Sequence, residues 1–371
     1  MKFSIERAAL LRSLNHVQSA VEKRNTIPIL SNVLIKAEDG SLTMSTTDMD
    51  MEITETVAAQ VSTPGGTTAP AATLFDIVKK LPDDADVEVV LDESGNQMTV
   101  KAGRSNFKLS CLPTNDFPEL GKGDMATSFS IPSNDLRALI DRTRFAMSTE
   151  ETRYYLNGIY LHAAEKDGVN VLRAVATDGH RLARFEMPLP DGAAEMPGVI
   201  LPRKAVAELR KLVEEAGDAI QIDLSESKVR FSFDHIILTS KLIDGTFPDY
   251  QRVIPQGNDK VVEVNPKAFS SAIDRVSTIS DGKSRAVKIT FEGKTMTLSA
   301  NSPEAGSATE DLEVNGNDNM EIGFNARYLM DITSQIEGDG FRLTLADAAS
   351  PTIIEDVGDT SSLYVLMPLR V

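Results

Sequence analysis

The sequence predicts an α+β chain of three tandem, similar domains, each made of two halves that pair one helix with several antiparallel strands. Three observations carry this. At 371 residues the chain exceeds what one hydrophobic core serves. A strand-then-helix pattern recurs three times, starting at Lys2, Ser128 and Val261, at spacings of about 126 and 133 residues. A second helix-then-strand trio lies between those copies.

The first trio is KFSIERAALLRSLNHVQSAVEKR, SFSIPSNDLRALIDRTRFAMSTEETR and VVEVNPKAFSSAIDRVSTISDGKSR. Each opens on a short alternating strand, continues as an amphipathic helix and ends on a basic residue: Arg24, Arg153 or Arg285. Ile5, Leu10, Leu14, Val17 and Val21 make one apolar stripe in the first copy, and Leu136, Leu139, Ile140 and Met147 make another in the second. Ser133 is placed to cap the second helix. Asn265 is placed to cap the third, with Pro266 at its first position, where a missing N–H costs nothing. The second trio is AATLFDIVKKLPDDADVEVVL, LPRKAVAELRKLVEEAGDAIQIDL and FNARYLMDITSQIEGDGFRLTL: a helix, a turn rich in Asp, Gly or Pro, and an alternating strand. VEVVLDESGNQMTVKAG, VRFSFDHIILTSKL and VKITFEGKTMTLSAN read as further strands, several with hairpin signals. Domain boundaries are expected near 120–124 and 255–260, giving domains 1–122, 123–255 and 256–371.

The chain is 25% charged and 41% hydrophobic, an ordinary globular balance with no apolar run near membrane-spanning length. MKFSIERAALL carries charges inside its apolar stretch and does not read as a signal peptide. A single cysteine, Cys111, excludes an intrachain disulfide and fits a reducing cytoplasm. No histidine or cysteine spacing suits a metal, and no glycine-rich phosphate loop occurs, so no cofactor is expected.

The net charge of −17 argues against a nucleic-acid partner. Its distribution softens that argument, because the six candidate helices together carry +5 and the rest of the chain −22. A surface lined by such helices would touch phosphates weakly and without sequence preference. The plain alternative is that helices carry their usual lysines and arginines on solvated faces.

Long, specific stretches stand at RYYLNGIYL (153–161), ATDGHRLA (176–183), TSKLIDGTFPDYQRVIP (239–255) and YVLMPLRV (364–371). The opening MKFSIER, TIPILSNVLI at 26–35 and MEIGFNARYLMDI at 320–332 add to them. They carry an end-to-end resemblance to the bacterial DNA polymerase III beta subunit family. It implies the DNA clamp fold, with two helices and two antiparallel sheets per domain, and a head-to-tail dimeric ring with its helices inside. It implies a sliding clamp: a homodimer that encircles double-stranded DNA topologically and makes the replicative polymerase processive. Clamp loader, other DNA polymerases and repair proteins would dock on it. It implies no catalytic activity, no catalytic, metal or cofactor residue and no membrane partner. A ring holds DNA by linkage, so a net acidic protein can still engage it.

By the same resemblance a partner-peptide pocket is expected from Leu156, Thr177, Gly179, His180, Arg181, Leu182, Pro248, Arg252, Val253, Val365, Met367, Pro368, Leu369 and Arg370. Arg181, Arg252 and Arg370 would bond the backbone or acidic flanks of a short motif containing Gln and Leu. Leu369 and Val371 stand where some relatives carry Met and Leu. DNA contacts are expected from Arg24, Lys80, Arg203 and Lys204, whereas Ala71-Ala72-Thr73 lacks a basic residue that some relatives carry. Glu150 and Glu151 put acid beside Arg153. Tyr154 and Tyr155 would stack on template bases or pack. The dimer interface is expected at Phe107, Leu109 and Ile279.

Two readings compete. Asp178-Gly179-His180-Arg181 suggests an acidic cytosolic hydrolase with His180 as base and Asp178 as its orienter, although no nucleophile is marked. A repeat scaffold with no nucleic-acid role is the other.

Overall fold

Alternating patterns such as KFSIE and VEVVL become strands because a period of two puts every second side chain into a core. The three-to-four-residue stripes become short helices lying on those strands. The structure, a computed structural model, describes residues 1–22, 26–121, 123–280 and 285–370. The first half-domain runs β1 (Lys2–Glu6), α1 (Arg7–Val17), β2 (Asn32–Glu38), β3 (Ser41–Thr47) and β4 (Met51–Ala58). An extra strand β5 (Gln60–Thr63) follows, then β6 (Gly65–Pro70), α2 (Ala71–Lys80), β7 (Asp86–Leu91), β8 (Gln97–Ala102) and β9 (Ser105–Ser110). The same order recurs in β10 (Thr127–Pro132), α3 (Ser133–Arg144), β11 (Gly158–Lys166), β12 (Val169–Thr177) and β13 (Arg181–Pro188). It continues in β14 (Val199–Pro202), α4 (Arg203–Val213), β15 (Ala219–Leu224), β16 (Lys228–Phe233) and β17 (Ile236–Lys241). The third copy is β18 (Lys260–Val264), α5 (Pro266–Ser277), β19 (Ala286–Glu292), β20 (Thr295–Ser302) and β21 (Gly306–Glu313). It ends in β22 (Asn319–Asn325), α6 (Ala326–Thr333), β23 (Phe341–Leu345), β24 (Thr352–Asp356) and β25 (Ser362–Leu366).

Every half is thus strand, helix, three strands, and pairing obeys one rule. The strand before each helix joins the sheet of its sister half: β1 pairs β7, β6 pairs β2, β10 pairs β15, β14 pairs β11, β18 pairs β23 and β22 pairs β19, all antiparallel. The fold is three tandem α+β domains with antiparallel sheets, as the repeat predicts.

The chain divides into two compact units. Unit 1 (1–136, 191–197 and 207–242) contains the sheet β5-β1-β7-β8-β9 and the eight-stranded sheet β10-β15-β16-β17-β4-β3-β2-β6. In the latter, β4 and β17 join, with Ile53 opposite Leu238 and Glu55 opposite Ile236. Unit 2 (137–190, 198–206 and 243–371) contains the eight-stranded sheet β14-β11-β12-β13-β25-β24-β23-β18 and the sheet β21-β20-β19-β22. Here β13 and β25 join, with Leu182 opposite Val365. In both junctions the last strand of a half meets the last strand of another half.

The helices bury the expected stripes: Leu10, Leu14 and Val17 in α1, and Leu136, Leu139 and Ile140 in α3. Three expected members fall elsewhere. Ile5 belongs to β1, Val21 lies past α1 and the short 3-10 turn after it, and Met147 lies beyond the end of α3 at Arg144. Asn265 caps α5 as expected, accepting from the Ala268 amide at 2.9 Å, and Pro266 follows it. Such a cap is worth about 1 kcal/mol. Ser133 instead is the first residue of α3, and its amide donates to the Asp218 carbonyl at 3.0 Å. Arg7 and Arg203 do likewise toward Ala85 and Asn157, both at 2.9 Å. The carbonyl just before a neighbouring strand thus satisfies helix-start amides that side-chain caps would otherwise serve.

Several helix cations are already paired. Arg7 meets Asp83 at 2.7 Å, Arg12 meets Glu215 at 3.0 Å, Arg144 meets Asp141 at 3.3 Å and Arg210 meets Glu214 at 2.7 Å. The +5 of the helices therefore overstates the positive charge they present.

Candidate partner-binding site

Four separated stretches of unit 2 meet at the β13–β25 junction. Register alone sets Leu182 opposite both Thr177 and Val365. The Met367 amide donates to the His180 carbonyl at 2.9 Å, so the chain beyond β25 stays beside the 177–181 turn. Leu156, Leu182 and Val365 share one buried cluster with Val175, Ile200, Phe247, Tyr250 and Leu363. A short 3-10 turn, Tyr250–Val253, follows Phe247 and Pro248 and presents Arg252 and Val253 outward.

The apolar residues of this site differ in what they offer. Leu156, Leu182 and Val365 are floor, each no more than 5% exposed. Val253 and Met367 stand up from it at 52% and 42% exposed, and Pro368 and Leu369 are half-buried. Pro248 is exposed. Exposed apolar side chains around a dense apolar floor suit a short hydrophobic motif. Arg252 pairs with Asp249 at 2.8 Å but remains largely in solvent, and Arg370 is exposed. The sequence reading missed Phe247, Tyr250, Val175, Ile200 and Leu363. Phe247 and Tyr250 carried a legible signal, two aromatics inside an otherwise polar turn-like stretch.

The turn at 177–181 is built by its own side chains. The Asp178 carboxylate accepts from the backbone amides of His180 at 2.9 Å and Arg181 at 3.0 Å. The Thr177 hydroxyl accepts from the Gly179 amide at 3.1 Å and donates to the Arg181 carbonyl at 2.7 Å. Gly179 has φ +87°, and a Cβ there would stand 2.8 Å from Arg153 Nη1, so glycine fits where a side chain would be strained.

Arg181 departs from its expected role. Its guanidinium meets Asp331 at 2.5 Å, Asp178 at 3.2 Å and the Phe145 carbonyl at 2.6 Å, and lies 4.1 Å from the Tyr328 ring centre. It is occupied in holding α6 and the turn together. The hydrolase reading fails on the same geometry. Asp178 spends its carboxylate on amides and Arg181, and the His180 ring stacks on Tyr328, 6.5 Å between centres. This is a turn, with no orienter–base pair.

The other expected residues are scattered. Arg24 and Val371 lie outside the described residues. Lys80 is exposed at the end of α2, in a groove of about 330 Å³ shared with Phe107, Ile77 and Leu81. Arg203 is half-buried and donates to the Ser148 carbonyl at 2.6 Å, and Lys204 is half-buried beside it. Phe107 is half-exposed on β9, whereas Leu109 turns into the chain's own core. Ile279 is half-buried just past α5. Tyr154 is exposed and Tyr155 packs against the apolar floor. Among the described residues no group of His, Cys, Asp and Glu is arranged to hold a metal ion, and no helix is long and apolar enough to cross a membrane.

Models of the N-terminal, central and C-terminal domains of the DNA polymerase III beta subunit match residues 1–121, 130–249 and 251–370. The chain belongs to the DNA polymerase III beta subunit family. It is 53% identical over 372 residues to the beta sliding clamp of Caulobacter vibrioides and 38% identical to that of Escherichia coli K12, each match covering the whole of both chains. A solved Caulobacter crescentus beta sliding clamp superposes with a TM-score of 0.98 at 53% identity, covering all of this chain and 99% of that one. The Bartonella birtlesii clamp bound to griselimycin superposes with a TM-score of 0.97 at 50% identity, covering all of both chains. The function is that of a DNA sliding clamp, a processivity factor in replication and not an enzyme. The scaffold and hydrolase readings are both set aside.

Arg181→Ala should destabilise unit 2 by about 2–4 kcal/mol, the cost of breaking a buried pair reduced because Asp331 is partly exposed. Urea denaturation checks the value. A loss below about 0.5 kcal/mol would mean that Arg181 does not hold α6 to the turn.

Proposed function

We propose that the clamp takes partner peptides in the apolar site on the β13–β25 junction. The observation that carries this is the meeting of Leu156, Leu182 and Val365 beneath Val253 and Met367, drawn from four stretches of sequence. Thr177, Gly179 and His180 wall one side, Pro248 and Arg252 a second, and Pro368, Leu369 and Arg370 a third. Arg181 braces the wall from behind. A short motif containing Gln and Leu loses ordering entropy on binding, so affinities are expected on the order of micromolar and partners can exchange. Polymerase, clamp loader and repair proteins would share the site. Griselimycin, bound to the Bartonella relative, is a candidate competitor. Removing residues 367–371 should abolish binding of a labelled polymerase-derived peptide while the protein stays folded. Equal binding by the truncated and intact chains would remove this assignment.

The second part of the proposal is a head-to-tail homodimer that closes a ring in the cytoplasm, with domains 1–122, 123–255 and 256–371. Its support is the strand-pairing rule. Four of the six halves pair their last strands, β4 with β17 and β13 with β25. The last strands left with an open edge are β9 and β21. An open edge invites a partner strand, and each edge can meet the other in a second copy. Lys108 on β9 and Glu310, Asp311 and Glu313 on β21 give the two edges opposite charge. Phe107, with Ile77 and Leu81 beneath it, supplies an apolar centre, and Ile279 is the expected apolar counterpart.

Repeat-equivalent cations point the same way. His16, Arg142 and Arg275 occupy one position of the strand-helix repeat. His16 lies 2.7 Å from Glu55 on its own last strand and 3.3 Å from Glu215, past α4. Arg142 lies 5.4 Å from the Phe185 ring centre on its own last strand and 3.5 Å from Glu337, past α6. Arg275 has the own-strand partner, Glu310 at 2.5 Å, and by the rule its second partner is Asp83, past α2 of the other subunit. Arg275→Glu should shift the dimer toward monomer, and Asp83→Arg in the same chain should partly restore it, as read by sedimentation over a dilution series. Unchanged sedimentation of Arg275→Glu would count against this register.

The third part concerns DNA. Arg24, Lys80, Arg203 and Lys204 are proposed as phosphate contacts within the ring. Changing them to Ala should weaken binding equally on unrelated duplexes and reduce the salt slope by roughly one per lost contact. A loss confined to one DNA sequence would contradict sequence-independent contact.

A further inference from the structure

Beneath the partner site lies a polar network that the site itself does not use. Arg173 and Glu186 are each 5% exposed, on neighbouring strands β12 and β13 where they are register partners. Arg173 Nε donates to Glu186 Oε1 at 2.7 Å. Lys166 on β11 lies 2.9 Å from Glu186 Oε2, and Arg184 on β13 lies 3.3 Å from Oε1. This concentration of buried charge delivers one hydrogen bond outside the sheet: Arg173 Nη1 donates to the Tyr250 hydroxyl at 2.9 Å. His162, opposite Arg173 on β11, reaches the same hydroxyl through Nε2 at 3.0 Å.

The proton positions in this network follow from its geometry. His162 Nδ1 lies 2.8 Å from the Ala163 carbonyl, which can only accept, so Nδ1 carries a hydrogen. In the neutral ring Nε2 is then an acceptor. The Tyr250 hydroxyl donates to it and accepts from Arg173, and all three groups are satisfied. Protonating His162 puts a second donor against the hydroxyl and a second cation beside Arg173. Burial and Arg173 both push the imidazole below its usual value, against the opposing influence of the Ala163 carbonyl and Glu186. The groups around His162 are Tyr160 and Lys166 on β11, Arg173 on β12, Arg184 and Glu186 on β13 and Tyr250, with Glu355 of β24 acting on Arg184.

Tyr250 connects this network to the partner site. Its ring belongs to the same buried cluster as Leu156, Leu182 and Val365, and it opens the turn that carries Arg252 and Val253. Phe247 is held too, stacked on Tyr160 at 4.9 Å between centres, and Tyr160 stacks on His162 at 4.6 Å. A turn of four residues has little internal hydrogen bonding to fix it, so its position depends on what its first residue grips.

We propose that Tyr250, clamped through its hydroxyl by neutral His162 and by Arg173, is a positioning residue that holds the Phe247–Val253 wall in its peptide-binding geometry. The inference rests on the proposed partner site. It adds a consequence that the site alone does not have: peptide affinity depends on the protonation of a histidine that touches no peptide. The network is complete above the ordinary histidine value of about 6.5 and is lost as pH falls through the lowered value of His162.

The test measures binding of a fluorescent peptide containing Gln and Leu to the full-length protein from pH 7.5 to 5.5. Wild type, Tyr250→Phe, His162→Gln and Val253→Asp are compared. Tyr250→Phe leaves Arg173 and His162 without their common partner and should bind about tenfold more weakly at pH 7.5. His162→Gln offers an uncharged acceptor to the same hydroxyl, and should keep near-wild-type affinity at pH 7.5 while losing the acid-side fall seen in wild type. A general loss of folding would not produce that rescue. Val253→Asp blocks the site directly and reports on the site alone. If Val253→Asp abolishes binding while Tyr250→Phe binds like wild type, the positioning role is wrong and the site stands. If Val253→Asp leaves binding intact, the site assignment fails and the positioning role with it. A pH profile unchanged by His162→Gln overturns the protonation dependence.

Discussion

The antiparallel seams between last strands, β4 on β17 and β13 on β25, are the constraint on which the rest of the molecule depends. A half-domain of one helix and three strands cannot close its own sheet, because its last strand always leaves a row of amides and carbonyls unpaired. The sister half takes up the strand before the helix, and the next domain takes up the last strand. Two four-stranded sheets thereby become one of eight strands. Each seam satisfies backbone groups and buries apolar side chains, Ile53 and Leu238 in one and Leu182 and Val365 in the other, so it is hydrogen-bonded and apolar together.

The proposed partner site is a by-product of one such seam. Where β13 meets β25, register brings Leu182 to Val365, and the segments flanking the strands supply the walls. A site so founded has a buried floor and exposed rims, which suits a surface that admits several short motifs in turn. It also explains why Arg181 is unavailable to a partner. The residue that opens β13 must tie the preceding turn to α6, and its guanidinium is exhausted by two carboxylates and a carbonyl.

Electrostatics follow the same economy. The net charge of −17 sits with helices several of whose arginines serve neighbouring carboxylates. A surface of this kind attracts phosphate weakly, which suits a clamp that must move along DNA without being arrested by it. Buried charge is concentrated instead at Arg173 and Glu186, under the proposed partner site, where an unpaired ion would be costly and a paired one gives direction to its neighbours.

The sequence by itself determined the periodic part of this protein. Strand and helix periods, the Asn265 cap with Pro266 behind it, and the threefold repetition were legible because each depends on residues within a few positions of one another. The motifs around 156, 177–182, 248–253 and 365–370 were legible through the family resemblance. Their meeting was implied by that resemblance alone and was not legible in local pattern, because it depends on β13 choosing β25, a pairing between residues nearly two hundred positions apart. The same limit hid the assignment of Ile5 to a strand, since the stripe it extends is continuous with the helix that follows. It also hid the occupation of Arg181 by Asp331, and the grip of Arg173 and His162 on Tyr250. A side chain's partner is set by which surfaces the fold brings within hydrogen-bonding distance. Only the tertiary structure decides that.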